Sequence, residues 1–99
     1  MLLQIIKIDG HSLDPAYQEG DYVLVSNIPL LLRGVRPGDV VVFNHPLHGK
    51  VIKWVEHLED GGRSAFVIGT HPSSIDSRVY GAIPLDWIGG KVIWHVSRK

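Results

Sequence analysis

Lys50-Val51-Ile52-Lys53-Trp54-Val55-Glu56-His57-Leu58 is dominated by branched and aromatic side chains, the composition of a β-strand. Strand side chains alternate between two faces. Val51, Lys53 and Val55 therefore share one face, and Ile52 and Trp54 share the other. Asp60-Gly61-Gly62 comes next and reads as a hairpin tip. Ala65 to Ile68 is the returning strand.

The same reading extends outward. Leu3 to Asp9, Asp21 to Ser26, Asp39 to Phe43 and Lys91 to Val96 are further strand candidates, each bounded by Gly, Pro, Asn or Asp. Glu19-Gly20-Asp21 and Pro37-Gly38-Asp39 are turns of one form, each leading into a strand. Ile28 to Leu32 is long enough for one helical turn. No long amphipathic helix is visible, which argues against helical bundles and helix-turn-helix modules. The expectation is a mostly β fold: one compact antiparallel β-sheet domain over residues 1–99, with little helix.

Composition narrows the function. Ten basic residues balance ten acidic ones, so no excess positive field gathers phosphates, and a nucleic-acid partner is not expected. There is no cysteine, which removes disulfides and thiolate metal sites. No apolar run approaches the roughly 20 residues that span a bilayer. The opening Met1-Leu2-Leu3-Gln4-Ile5-Ile6-Lys7 is interrupted by Gln4 and Lys7 and is too short for a secretory signal. The expectation is a soluble chain.

Three segments carry chemistry. Lys53 lies between two valines on its strand face. A lysine so placed either threads its ammonium to solvent or is buried. Buried without a carboxylate it loses its proton more easily and becomes a general base. Ser12, in Gly10-His11-Ser12-Leu13-Asp14-Pro15, sits at a turn between a flexible glycine and a stiff proline. Taken alone it is an ordinary turn serine; with a base beside it, it is a nucleophile. Ser74-Ile75-Asp76-Ser77-Arg78 is a dense polar loop. In it Asp76 and Arg78 are close enough to pair, and Ser74 or Ser77 is placed to donate a hydrogen bond to a neutral lysine. His45-Pro46-Leu47-His48 has ligand-like spacing but no sulfur or carboxylate beside it, so surface histidines and no metal or other cofactor are expected. Trp54, Trp87 and Trp94 read as core or sheet-packing residues.

Taken in order, these segments resemble the type I signal peptidase family of Ser/Lys endopeptidases. Gly10 to Pro15 resembles the family's Gly-x-Ser-Met-x-Pro motif. Gly20-Asp21-Tyr22-Val23-Leu24-Val25 and Arg36 to Phe43 resemble its next two elements. Val51 to Val55 is similar to the strand bearing the base, and Ser74 to Gly81 to the family's Ser-x-Asp-Ser-Arg-x-Tyr-Gly segment. Ile83-Pro84 and Gly90-Lys91-Val92 resemble its Val-Pro pair and its Gly-Lys-Val strand. Leu13 stands for methionine, Trp54 for arginine, and Gly69-Thr70-His71 where Gly-Asp-Asn is common. The loop from there to Ser74 is one residue short of the family pattern.

The resemblance implies a signal-peptidase/LexA-like β fold. It also implies a Ser12 nucleophile with Lys53 as base, and Ser74 orienting the lysine with Asp76 and Arg78 in support. Gly10 offers no hydroxyl to an oxyanion, so the Ser12 N–H carries that task, while His11 and Leu13 shape the substrate cleft. With 16 positions between Lys53 and Gly69, no second β domain is inserted. On this resemblance the chain looks like the minimal catalytic core, similar to the proteases that mature nickel-type superoxide dismutase. The partner implied is a protein or peptide carrying an N-terminal leader. A cytoplasmic location is favoured; the alternative is a membrane-associated enzyme working outside the cytoplasm, attached through a partner or a missing anchor. Two other readings compete. One is an inactive peptide-binding module on the same fold. The other is a LexA-type self-cleaving domain, disfavoured by the eleven residues preceding Ser12.

Overall fold

The computed structural model describes residues 3–10 and 13–97. Seven strands form: β1 (Gln4–Lys7), β2 (Tyr22–Ser26), β3 (Val40–His45), β4 (Gly49–Glu59), β5 (Ser64–Ile68), β6 (Ile83–Pro84) and β7 (Ile88–Val96). They make one antiparallel sheet in the order β1-β2-β7-β3-β4-β5-β6. All six strands expected from the pattern are present. β6 is an addition, because two residues, one of them proline, carry no periodicity; the proline is tolerated on an edge strand.

Register explains where the core lies. Val41 stands opposite Lys53, Phe43 opposite Val51, and Val55 opposite Val67. Val41, Phe43, Val55, Ala65 and Val67 form the larger buried cluster, so Lys53 enters the sheet on the apolar side. The alternate residues serve the other face. Val42 opposite Ile52 packs with Ile8, Val23 and Val25. Val40 to Phe43 are all buried, which makes β3 the two-sided centre of the sheet. β1 lies four places from β4 in strand order, yet Ile6 and Ile8 join the cluster of Val42 and Ile52. The sheet therefore rolls until β1 and β4 face each other, the curvature that twisted strands accumulate.

The two Gly-Asp turns share a construction. Gly20 and Gly38 adopt φ values of 90° and 93°, open to glycine at little cost. Each following aspartate caps its own turn, with Asp21 Oδ2 accepting from Gln18 N at 3.0 Å and Asp39 Oδ2 from Arg36 N at 2.8 Å. Each also reaches β7. Asp21 Oδ2 is 2.7 Å from His95 Nε2, and Asp39 Oδ2 is 2.7 Å from Lys91 Nζ. One strand thus anchors both turns.

Helix is scarce. α1 (Ile28–Arg33) has proline in its first turn and ends at Gly34, whose N–H donates to Leu30 O. α2 (Ser77–Tyr80) replaces the end of the expected polar loop. No helix among the described residues is long and apolar enough to cross a membrane. Trp87 packs on the larger core cluster, and Trp54 meets Tyr17 edge-on with ring centroids 5.8 Å apart. Trp94 departs from expectation and is 65% exposed. Its neighbour His95 turns inward to Asp21 and Tyr17, and strand alternation sends Trp94 outward into the row Ile5–Leu24–Trp94.

Gly90 tests this packing. A Cβ there would lie 2.6 Å from Val25 Cγ1 and 3.2 Å from Ser26 O. Gly90→Ala should cost about 1–3 kcal/mol through overpacking, read as a lowered urea midpoint. Gly89→Ala, whose nearest atom is Val42 O at 3.9 Å, should cost less than half as much.

Candidate active site

Lys53 is 4% exposed. Its partner among the described residues is a hydroxyl: Nζ donates to Ser74 Oγ at 3.0 Å. Ser74 Oγ in turn donates to Asp76 Oδ2 at 3.0 Å. The direction reverses the sequence expectation that a serine donates to the lysine. Ser74 has one O–H to donate, and it donates it to the ionised carboxylate. The hydroxyl oxygen is left to accept from the amine. Ser77 plays no part here; its Oγ accepts from Val67 N at 2.9 Å and ties α2 to β5.

Asp76 is the hub. It is fully buried and caps α2 by accepting from Arg78 N. Arg78 grips both of its oxygens, Nε at 3.0 Å and a terminal nitrogen at 2.6 Å. Gly69 N donates to Oδ2 at 2.8 Å, and the Gly69 carbonyl accepts from Arg78 at 3.1 Å. Asp76 and Arg78 therefore shape this loop as expected, and Gly69 joins them, a contribution that sequence reading misses. The family's Gly-Asp-Asn pattern at that position is its signal.

Charge follows geometry. Burial pushes the Lys53 ammonium pKa down; the Asp76 carboxylate pulls it back and the Arg78 cation pushes it down again, leaving it below the ordinary lysine value. Burial pushes Asp76 up, but the hydrogen bonds from Arg78, Gly69 and Ser74 prevail and hold the carboxyl well below the usual carboxylate range. Tyr80, half-buried beside this cluster, is raised to about 12 by burial and by the Asp76 charge.

Lys53 and Ser74 open on a groove of about 350 Å³ whose other walls include Asp9, His48 and Ser73. A second hollow of about 270 Å³ shares Asp9 and Lys50 to Ile52 with it and continues along Ile6 and Ile8. Together they form a channel between β1 and β4. Asp9 is three positions before Ser12 in the chain. Sequence reading singles out neither Asp9 nor Ser73; Asp9's place at the end of the first strand is the available cue.

The remaining candidates divide. His11 and Ser12 lie outside the described residues. Gly10 has φ 83°, and its N–H donates to Glu19 Oε1 at 3.2 Å, so it shapes the loop. Leu13 is 2% exposed. Its side chain turns inward, as an apolar residue beside a core gains by doing. His45 is also no simple surface histidine. Its Nδ1 accepts from Leu47 N at 3.0 Å, and its ring lies 4.5 Å from Tyr80 and 4.6 Å from His48.

Residues 1–58 match the family model described as signal peptidase, peptidase S26. The chain belongs to this family. No curated protein matches it. A signal peptidase-type function is the reading that membership supports. The matched residues span the Gly10–Pro15 motif and Lys53 and end before Ser74, Asp76 and Arg78; the Lys53–Ser74 hydrogen bond ties that later segment to the matched part.

Asp76→Asn should lower stability by about 2–3 kcal/mol at neutral pH, the scale of charge-assisted hydrogen bonds lost from a buried site. The folded carboxyl titrates below its unfolded value of about 3.9. Its contribution is therefore present above that value and lost as pH falls through the folded pKa. Urea midpoints of the two proteins should converge in acid.

Proposed function

We propose that the chain is a serine endopeptidase in which Lys53 activates Ser12 to remove an N-terminal leader from another protein. The observation that carries this reading is the buried amine: Lys53 is 4% exposed and bonded to the Ser74 hydroxyl at 3.0 Å. A lysine serving only as a surface charge has no reason to accept that desolvation.

The mechanism is built on the network. Neutral Lys53 donates one hydrogen to Ser74 and keeps its lone pair for the Ser12 hydroxyl. It takes that proton as Ser12 attacks the scissile carbonyl and returns it to the leaving amine. The Ser12 N–H steadies the oxyanion. An acyl-enzyme forms, and water releases it with Lys53 again acting as base. Asp76 orients Ser74, and Arg78 offsets a negative charge that would otherwise hold Lys53 protonated. β1 ends the sheet, so its outer backbone is placed to pair with an extended peptide. The channel towards Lys53 would hold the residues before the cut, and its modest size suits small ones.

Ser12→Ala and Lys53→Met should each abolish processing. Mapping protein N-termini in cells carrying the native chain against either variant should show termini unique to the native protein. Identical termini, with all proteins expressed and folded, would move the reading to a peptide-binding module. Lys53→Met should unfold at no lower urea concentration, because it removes the cost of burying an amine.

Activity should rise with pH along a limb lying below the ordinary lysine value of about 10.4, since burial lowers the Lys53 pKa. Arg78→Met should move that limb to higher pH by leaving the Asp76 charge unopposed. A pH-independent rate would exclude a lysine base.

A further inference from the structure

We propose that Thr70 is a positioning residue that holds the turn 13–17, which follows Ser12 in the chain, against the loop supporting the base. The inference rests on the dyad reading above. Thr70 Oγ1 donates a hydrogen bond to the Asp14 carbonyl, 56 positions away in the chain. Asp14 is two residues beyond Ser12 and belongs to the turn closed by Tyr17 N to Leu13 O at 3.0 Å. On its other side Thr70 is joined to Gly69, whose N–H and carbonyl are held by Asp76 and Arg78 at 2.8 and 3.1 Å. A connected path thus runs from Lys53 through Ser74, Asp76 and Gly69 to Thr70 and the Asp14 carbonyl.

The sheet cannot supply this registration. Lys53 is placed by the β3–β4 and β4–β5 ladders. The segment 13–18 and the loop 69–76 both lie outside the strands, so no ladder sets the gap between them. A threonine is suited to the task because its β-branch restricts χ1 and so aims the hydroxyl. Thr70 is itself exposed, so its hydroxyl contributes little to overall stability. Its effect should fall on the reaction, where a displacement of about 1 Å costs on the order of 10²-fold in rate.

An alanyl diphenyl phosphonate tests the idea without a known substrate. Ser12 Oγ forms a bond to phosphorus as the phosphorus–phenoxide bond breaks; the serine proton passes to Lys53 and then to phenoxide. Intact mass and phenol release report the rate, with Ser12→Ala as the unlabelled control. Thr70→Val should lower the limiting labelling rate roughly 10- to 100-fold, the scale of lost alignment. The half-saturating probe concentration, the urea midpoint and the acid limb of the pH profile should stay unchanged. Thr70→Ser, which keeps the donor, should recover most of the rate.

Equal limiting rates in the native chain and Thr70→Val would overturn the role of Thr70 and leave the dyad standing. A slowed Thr70→Val with a lowered urea midpoint and no rescue by serine would overturn it in favour of a purely structural part. A shifted acid limb would overturn it by locating the effect in the charge of Lys53. Failure of the native chain to label at any pH would overturn the dyad and the role of Thr70 with it.

Discussion

A single amine buried on the apolar face of β4 constrains the rest of the site. The β3–β4 register puts Lys53 across from Val41 and beside Val51 and Val55, where an ammonium ion loses its hydration. The protein can answer with a direct carboxylate partner or by letting the proton go. A direct partner would stabilise the cation. Here a hydroxyl stands between the amine and Asp76, so the amine has a hydrogen-bond acceptor without a full counter-charge. Ser74 thus separates the amine from the charge of Asp76.

The sheet's roll, set by strand twist, brings a channel to the edge of Lys53. A flat sheet would offer a covered face or a wet one. Rolling β1 over towards β4 creates a seam instead. Ile6 and Ile8 close one side of it against Val42 and Ile52, while Asp9 and Ser73 leave the end near Lys53 open. The two Gly-Asp turns fix the roll by bonding to β7 through Asp21–His95 and Asp39–Lys91. These turns are the entries to β2 and β3, so one strand sets the angle at which both arrive.

Much of this is legible in the residues because strands announce themselves by period two. The alternation Val51-Ile52-Lys53-Trp54-Val55 is enough to place the lysine on its correct face. The features that stay hidden lack periodicity or depend on tertiary partners. β6 is two residues long, and α2 is a single turn whose start is a capping aspartate inside a polar loop. The exposure of Trp94 depends on His95 taking the inward place beside Asp21, a partner 74 positions away. Leu13 is ambiguous in sequence because an apolar residue beside a serine motif is equally compatible with core and cleft; its burial shows only in the fold. The Ser74 bond runs opposite to the expected direction, since donor and acceptor roles are set by the third member of the chain, Asp76.

Arg78 completes the electrostatic argument. Asp76 must be ionised to hold the Ser74 hydrogen and cap α2, but a buried carboxylate near Lys53 favours the protonated amine. Those demands conflict if Asp76 acts alone. A guanidinium bound to both carboxylate oxygens resolves the conflict, because its fixed fork neutralises the anion without displacing the Ser74 and Gly69 contacts. Arg78 keeps its own side chain 55% exposed, so the positive charge is solvated while the negative one is not. The charge cost of the site is thereby carried at its wet edge, and the two buried titratable groups are an ionised carboxylate that accepts from Ser74 and an amine whose pKa lies below the ordinary lysine value.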